Sequence, residues 1–444
     1  MSVTTRRRWL AFFAVLIVVL FAAFLWVRPL LNIGAGYAAK HACSCHFLQG
    51  RELGEISEQD LNFSVLGYAS LSASEDRVKA TFFGLVPRVA VFRPGIGCTL
   101  INDDLLPVKD VTKGAAAGAW VEGQVEDAVQ LRGEYQNAVD LGMAPVEGGG
   151  ARGIVIMHKG EIVAEDYAPG YGPRSPLLGW SMTKSLTGLA LGAYYHQLDS
   201  LDKPSIADFV NQKNLYPAWS GDARAQITLA DLLHMNSGLG WNEGYGSLSD
   251  ATIMLHEQPD MAAYATGMPA LEPTGENWVY SSGTTNILAD YLDRKVRPQG
   301  MSAHQFMQVL FSPIARTLFV EPDQAGKPVG SSYGWATARD WARLGQFMLQ
   351  DGVWNGDTLV APGWIDFMRE PAVGSDGIYG GQLWLPGPDM PSLPKDAYMM
   401  RGFQDQRVFV IPSLELVIAR LGHNVDKRTD FDGLVGAVME VVEQ

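Results

Sequence analysis

An uncharged apolar run near the N-terminus limits what this chain can fold into more than any other feature. Arg6-Arg7-Arg8 precedes Trp9 to Val27, nineteen residues without a charge, and the run closes at Arg28-Pro29. A helix of this length spans a bilayer, and the arginines before it place the short N-terminus in the cytoplasm. We therefore predict a cytoplasmic tail at residues 1–8, a transmembrane helix at 9–27 and the rest of the chain outside.

A cleaved signal peptide is the rival interpretation of this apolar run. Small residues between Ala35 and Ala39 would suit a signal peptidase. The apolar part of a signal peptide is usually shorter than nineteen residues, however. We favour an uncleaved anchor that crosses the membrane once.

Composition and charge describe a globular chain with an acidic balance. Of the 444 residues, 47% are hydrophobic and 18% are charged, which is ordinary for folded domains, and the length suggests two or three folding units. The formal net charge is -14, and no basic cluster follows the N-terminus. This balance disfavours nonspecific binding to nucleic acid, and we predict no nucleic-acid partner.

Three cysteines, Cys43, Cys45 and Cys98, bear on the compartment and on metal binding. An oxidising compartment favours a disulfide, and we expect Cys98 to pair with either Cys43 or Cys45, leaving one thiol. The segment from His41 to His46 adds two histidines that could join a metal site, but the chain has no Cys-x-x-Cys pair. We predict no metal and no other cofactor.

The segment Gly179 to Ala190 reads as the first turns of an apolar helix that carries Ser181 and Lys184. A spacing of three residues puts both side chains on one face of the helix. A serine hydroxyl needs a neighbouring base to attack a carbonyl carbon, and a buried lysine can be that base when it is neutral. On its own, the same spacing also fits a capping serine beside a solvated lysine.

Patterns elsewhere predict the order of helices and strands. Residues 28–124 form a membrane-proximal module with short strands, and residues 125–444 form the second unit. Strands at both ends of this unit, with helices between them, indicate an α+β fold whose sheet is completed by the C-terminal strands. The predicted strands are Phe63–Ala69, Ala80–Leu85, Val89–Phe92, two strands within Gly153–Tyr167 about a turn at Lys159-Gly160, Arg407–Ile411 and Leu414–Leu421, and the predicted helices are 124–141, Leu229–Met235, Ala338–Gln350 and Asp432–Val442.

A second motif, Tyr280-Ser281-Ser282, places a phenol and a hydroxyl on a short loop. Together with Ser181 and Lys184, with the segment 227–239 and with 338–345, it resembles the serine β-lactamase and penicillin-binding protein superfamily. Within that superfamily the chain is most similar to class C-like esterases and 6-aminohexanoate-dimer hydrolases. The resemblance covers residues 125–444 and implies a β-lactamase/transpeptidase-like fold, with an antiparallel sheet flanked by helices and a mainly helical subdomain.

The resemblance also implies a role for each site residue. Ser181 would be the nucleophile, Lys184 and Tyr280 would transfer protons with either as the base, and Ser282 would support or share the catalysis. The backbone N–H groups of Ser181 and Phe403 would hold the oxyanion.

The family's third motif matches the segment from Met400 to Gln406, which includes Gly402. Met400 stands where lactamases carry a cation, and this departure argues against β-lactamase activity. Arg401 would take over charge recognition if it pointed into the site, but strand alternation leaves an outward orientation equally open.

We therefore expect a serine hydrolase that cleaves a small ester or amide through an acyl-enzyme. The resemblance implies a bacterial inner-membrane protein with its catalytic domain on the periplasmic side. The alternative is a membrane-anchored penicillin-binding sensor that acylates without turnover. We expect no histidine base. The aromatic candidates for an acyl pocket are Trp180, Trp241, Tyr245, Trp278 and Trp384.

Overall fold

A single long helix, α1 (Val3–Gln49), opens the chain in the computed structural model, which describes residues 3–108, 133–146, 149–198, 203–246, 248–425 and 428–444. The apolar side chains from Trp9 to Trp26 are mostly exposed. By length and composition, α1 could cross a membrane. The side of the membrane on which the rest of the chain lies stays a prediction.

Helix α1 does not end where the apolar run ends, contrary to our expectation. Pro29 lies inside the helix, although an interior proline costs about 3 kcal/mol. The part beyond it carries Ala35, Ala38, Ala39 and Ala42, all fully buried. Their packing against the following sheet provides the tertiary contacts that favour continuing the helix past the proline.

The segment after α1 adds a short helix, α2 (Leu53–Gln59), and a four-stranded antiparallel sheet in sequential order. The strands are β1 (Ala69–Ser74), β2 (Arg77–Phe82), β3 (Leu85–Arg93) and β4 (Gly97–Ile101). All four strands contact α1, so the sheet and the inner half of α1 share one core.

The strand predictions for this segment are partly wrong. The predicted strand Phe63–Ala69 is a 3₁₀ helix, Ser64–Tyr68, in which the Leu66 N–H bonds to the Phe63 carbonyl. Ser64 has a φ of 53°, which breaks the extended backbone that a strand requires. The predicted strand Ala80–Leu85 is split by a turn at Phe83-Gly84, whereas Val89–Phe92 lies within β3.

The disulfide joins Cys43 of α1 to Cys98 of β4, which settles the two pairings that the sequence left open. Cys45 is a buried free thiol. It lies on another side of the helix, with its Sγ 3.4 Å from His41 Nε2.

The central sheet has five antiparallel strands in the order β12-β13-β14-β5-β6. Its members are β5 (Gly150–His158), β6 (Glu161–Tyr167), β12 (Tyr398–Gly402), β13 (Gln406–Ile411) and β14 (Leu416–His423). The N-terminal hairpin and the C-terminal strands therefore pair as we predicted, with Lys159-Gly160 at the turn. Pairing of β5 with β14 brings the two ends of the unit together.

Both faces of the central sheet are covered. Along β5, Ile154 and Ile156 pack into one core with the C-terminal helix, and Val155 and Met157 pack into another with the helix that follows Ser181. This alternation is the two-residue period of a strand. The result confirms the predicted α+β fold of the β-lactamase/transpeptidase type, with helices on both faces.

The remaining helices lie mostly between β6 and β12, with one before β5 and one after β14, and two smaller sheets join them. The predicted helix 124–141 is described only from residue 133, where a 3₁₀ turn, Gly133–Tyr135, leads into a helix from Gln136 to Met143. The predicted residues 124–132, with the boundary at 124, lie outside the described residues. The helices are α3 (Gln136–Met143), α4 (Thr183–His196), α5 (Ile206–Val210), α6 (Leu229–Leu233), α7 (Asp250–Glu257), α8 (Met261–Thr266), α9 (Ser282–Val296), α10 (Ala303–Phe311), α11 (Ala338–Leu349), α12 (Trp364–Arg369) and α13 (Phe431–Val442), and the short strands are β7 (Leu177–Leu178), β8 (Phe319–Val320), β9 (Gly334–Ala336), β10 (Val353–Trp354) and β11 (Asp357–Thr358).

Candidate functional site

Ser181 lies in a 3₁₀ turn, Trp180–Met182, directly before α4. From Trp180 to Ala190 it is the only residue that is not buried, so its hydroxyl is presented to solvent. The turn is tightly held, because a Cβ at Gly179 would lie 2.2 Å from Trp341 Cζ2. Trp180 has a φ of 48°, a left-handed conformation that is strained for a bulky residue.

Lys184 is 1% exposed and contacts Ser181 as the spacing predicted. Its Nζ lies 3.1 Å from Ser181 Oγ, 2.9 Å from Ser282 Oγ and 3.1 Å from the Ser331 carbonyl oxygen. Burial lowers the pKa of Lys184 to about 8, and the nearby Glu243 carboxylate acts in the opposite direction. About a tenth of the lysine is therefore neutral at pH 7, far more than at the ordinary pKa of a lysine.

Tyr280 completes the approach to Ser181 from the loop before α9. Its ring centroid lies 4.9 Å from Lys184 Nζ. Burial raises the pKa of Tyr280, the Glu243 charge adds to this, and a hydrogen bond with Ser181 opposes it. The phenol is therefore protonated at neutral pH, which suits a proton donor better than a base. Tyr379 and Trp384 pack around the ring.

Ser282 is the first residue of α9 and is fully buried. Ser281 caps the helix by accepting a hydrogen bond from the Thr284 N–H at 3.0 Å, so the helix start fixes the Ser282 backbone. The structure thus brings Ser181, Lys184, Tyr280 and Ser282 together.

Glu243 is the site residue that our sequence reasoning missed. It lies in a loop between Trp241 and Tyr245 and accepts a hydrogen bond from the Ser282 N–H at 2.8 Å. We had weighed both flanking aromatic residues for the pocket, so the acidic residue between them was a usable signal. Glu243 and Ser282 are 39 residues apart in the sequence, so no local sequence pattern predicts their contact.

The end of strand β12 brings Arg401 and Gly402 to the other side of Ser181, and the 3₁₀ turn that follows brings Phe403. A Cβ at Gly402 would lie 2.1 Å from the Gly179 carbonyl oxygen, so only glycine allows this close approach. The Arg401 guanidinium carbon lies 4.4 Å from the Trp384 ring centroid and borders the cleft. Met400 points the other way and is fully buried in the core.

A cleft of about 350 Å³ opens over Ser181 and is bordered by Tyr245, Tyr280 and Trp384. Three arginines, Arg401, Arg407 and Arg428, also line it. Of the aromatic candidates, Tyr245 and Trp384 border this cleft, Trp180 lies beneath Ser181, Trp278 packs against Tyr280, and Trp241 packs near Gly283. No histidine borders the cleft among the described residues.

The N-terminal segment packs directly behind the nucleophile. Tyr37 stacks on Trp180 with ring centroids 5.9 Å apart, and His41 stacks on it at 6.2 Å. The Trp180 indole N–H donates to Gln404 Oε1 at 3.1 Å. Trp180 therefore links α1 to both Ser181 and the loop that follows Gly402.

His41, Cys45 and Asp60 place three metal-ligand atoms within 4.8 Å of one another. Asp60 also forms ion pairs with Arg51 and Arg152. These two positive charges disfavour a dication at the same carboxylate. The cluster is accounted for as a buried ion network between α1, α2 and β5.

The fold and the site define a class of protein: an α+β domain of the β-lactamase/transpeptidase type with a Ser-x-x-Lys pair at the foot of its cleft. The family model described as Beta-lactamase matches residues 136–434. The chain belongs to the Beta-lactamase family.

Individual relatives agree with this assignment. The chain is 23% identical over 300 residues to the 6-aminohexanoate-dimer hydrolase of Paenarthrobacter ureafaciens, covering 62% of this chain and 73% of the relative. Its fold is similar to a penicillin-binding protein homologue from Caulobacter crescentus, with a TM-score of 0.55 and 15% identity over 71% of this chain and 100% of that one. A family VIII carboxylesterase is also similar in fold, with a TM-score of 0.52 and 14% identity over 71% of this chain and 100% of that one.

Proposed function

We propose that this protein is a serine hydrolase that cleaves a carboxylic ester or amide through an acyl-enzyme on Ser181. The observation that carries the proposal is the 3.1 Å contact between Ser181 Oγ and Lys184 Nζ. Burial lowers the pKa of that lysine to about 8, so a neutral amine is available to accept the serine proton. Membership of a family that includes hydrolases supports the same reaction class.

The reaction follows from these positions. Ser181 Oγ attacks the carbonyl carbon while Lys184 accepts its proton. The N–H groups of Ser181 and Phe403 stabilise the oxyanion. Tyr280 donates its proton to the leaving alcohol or amine and recovers it from Lys184, with Ser282 in support. Water then attacks the acyl-enzyme and releases the acid, which restores Ser181.

The cleft favours substrates with a negative charge. Arg401, Arg407 and Arg428 line it together with one carboxylate, that of Asp405, and no ion pair joins any of the three arginines to a carboxylate within the described ranges. Arg407 is only 5% exposed, and its Nε has no hydrogen-bond partner there. In a chain with a net charge of -14, this local excess of positive charge attracts anionic molecules. We therefore propose small esters or amides that carry a carboxylate.

Residues 9–27 would hold the enzyme in the bacterial inner membrane, with the catalytic domain on the periplasmic side. The exposed apolar side chains of α1 support this arrangement, because an apolar surface of that length is unfavourable in water. Protease added to intact spheroplasts should digest the catalytic domain. Without protease, the domain should stay in the membrane fraction only when residues 9–27 are present. Full protection from protease would contradict the proposed orientation.

The first test is mass spectrometry of the full chain in detergent after brief mixing with p-nitrophenyl acetate, with Ser181→Ala as the matched control. We expect repeated release of nitrophenol and a transient acetyl adduct on Ser181. Activity that persists in Ser181→Ala would refute the proposal. A fluorescent penicillin that remains bound for hours, with a single equivalent of nitrophenol released, would instead indicate an acylating sensor.

The substrate preference is tested with two esters of one leaving group. The p-nitrophenyl ester of succinate carries a carboxylate that the acetate ester lacks. We expect a higher kcat/KM for the succinate ester than for the acetate ester. Arg401→Gln should lower the ratio of these two kcat/KM values about tenfold while leaving acetate hydrolysis unchanged. Equal kcat/KM for the two esters would contradict an anion-binding cleft.

A further inference from the structure

The carboxylate of Glu243 has an unusually complete set of hydrogen bonds for a half-buried side chain. Its Oε2 accepts from the Trp241 indole N–H at 2.6 Å and from the Ser282 backbone N–H at 2.8 Å. Its Oε1 accepts from the Tyr245 hydroxyl at 2.8 Å and from the Ser282 hydroxyl. Four donors thus surround two oxygens, which satisfies the lone-pair capacity of a carboxylate.

The bond from Ser282 to Glu243 decides where the Ser282 proton lies. A hydroxyl has one proton to donate, and a carboxylate without a proton can only accept. The Ser282 proton therefore points to Glu243. Towards Lys184 Nζ, 2.9 Å away, the Ser282 oxygen can then only accept.

Counting hydrogen-bond donors and acceptors in the same way fixes the orientation of a neutral Lys184. A neutral amine has two N–H groups and one lone pair. One N–H is taken by Ser282 Oγ and the other by the Ser331 carbonyl oxygen at 3.1 Å, which also can only accept. The third contact, at 3.1 Å, is to Ser181 Oγ. The lone pair is left for that contact, where a general base must direct it.

We propose that Glu243 is a positioning residue that acts through Ser282 to aim the lone pair of Lys184 at the Ser181 hydroxyl. Lys184, rather than Tyr280, is then the base of the acylation step. As Lys184 takes the proton from Ser181, the Glu243 charge also stabilises the ammonium that forms. This inference rests on the proposed function and adds to it the residue that orients its base.

Glu243→Gln tests the orientation with little change in shape. The glutamine oxygen can accept from the two N–H groups at the Oε2 position, and its NH₂ group then faces the hydroxyls of Ser282 and Tyr245. The Ser282 proton must turn away from that NH₂ group and towards Lys184, where it occupies the lone pair. The substitution thus reverses one hydrogen bond and removes one charge.

Two readouts separate this role from a structural one. Pre-steady-state release of nitrophenol should slow about 100-fold in Glu243→Gln, with little change in KM. The acid limb of the pH profile of kcat/KM should move about one unit lower, because the negative charge that favours protonated Lys184 is lost. Glu161→Gln removes an exposed carboxylate of β6 and should leave both quantities unchanged.

Ser282→Ala is the second variant and separates orientation from charge. It removes the hydroxyl that links Glu243 to Lys184 but keeps the Glu243 carboxylate. Acylation should therefore slow about tenfold, while the acid limb of the pH profile of kcat/KM stays in place. A wild-type acylation rate in either variant would overturn the role of Glu243. If Ser181→Ala abolishes turnover while Glu243→Gln retains the wild-type rate and pH profile, this inference fails and the proposed function stands; activity in Ser181→Ala refutes the proposed function itself.

Discussion

A buried ion pair joins the N-terminal segment to the catalytic domain, and breaking it should destabilise the protein strongly. Lys40 of α1 pairs with Glu321, and their side chains are 5% and 0% exposed. Glu321 also accepts from Ser44 Oγ at 2.8 Å, the Cys98 N–H at 2.6 Å and the Trp335 indole N–H at 2.8 Å. Lys40→Met keeps most of the side-chain volume and removes only the charged end.

The magnitude follows from what the substitution leaves behind. Removal of one partner of a buried ion pair costs about 3–5 kcal/mol, because the other charge stays buried without compensation. Three neutral donors remain on Glu321, so we expect the lower end, about 3 kcal/mol. The double variant Lys40→Met/Glu321→Gln carries no buried charge at this junction but turns the glutamine NH₂ group towards the Trp335 N–H, so it should recover part of this loss.

Urea unfolding of the full chain in detergent, followed by tryptophan fluorescence, measures this effect. The signal comes from all twelve tryptophans, including Trp335, which donates to Glu321 at the junction. Lys79→Met, on an exposed position of β2, is the matched control and should unfold like the wild type. A change below 1 kcal/mol for Lys40→Met, or no recovery in the double variant, would refute the reasoning.

Three further predictions follow from the structure. Because only neutral Lys184 accepts a proton and burial lowers its pKa to about 8, kcat/KM should rise about tenfold per pH unit below pH 8 and level off above it; a flat profile from pH 6 to 9 would contradict Lys184 as the base. The disulfide between Cys43 and Cys98 closes a loop with a sequence separation of 55, so Cys98→Ser should lower the free energy of unfolding by about 4 kcal/mol, measured in urea; an unchanged midpoint would contradict this. Tyr37→Ala removes the ring that stacks on Trp180 and should lower kcat about tenfold at constant KM, whereas Tyr37→Phe keeps the ring and should retain activity; equal rates for the two variants would argue against coupling.

Local patterns predicted those elements whose residues interact with near neighbours. The hairpin at Lys159-Gly160 forms because both residues adopt the positive φ that a tight turn requires. Helix α11 follows its apolar period from Ala338 and is capped by Thr337. The prediction failed at Phe63–Ala69, where composition suggested a strand and the backbone at Ser64 turned the chain instead.

The contacts of the candidate site also differ in how far apart their residues lie in the sequence. Ser181 and Lys184 are three residues apart, so their spacing, together with the other motifs of the resemblance, predicted the contact that the structure shows. Glu243 reaches Ser282 through a loop that is remote in sequence. The direction of Arg401 was open because strand alternation assigns a face only once the neighbouring strands are known.

The sequence by itself determined the family, the Ser-Lys pair, the apolar helix and the α+β order of elements, because each depends on residue types at short spacings. Only the tertiary structure decided which cysteine pairs with Cys98, that α1 continues past Pro29 to pack behind Trp180, and that Glu243 contacts Ser282 beside Lys184. These features depend on contacts between segments tens to hundreds of residues apart. Their free energy comes from burial and from the pairing of polar groups in the folded chain, which no local pattern encodes.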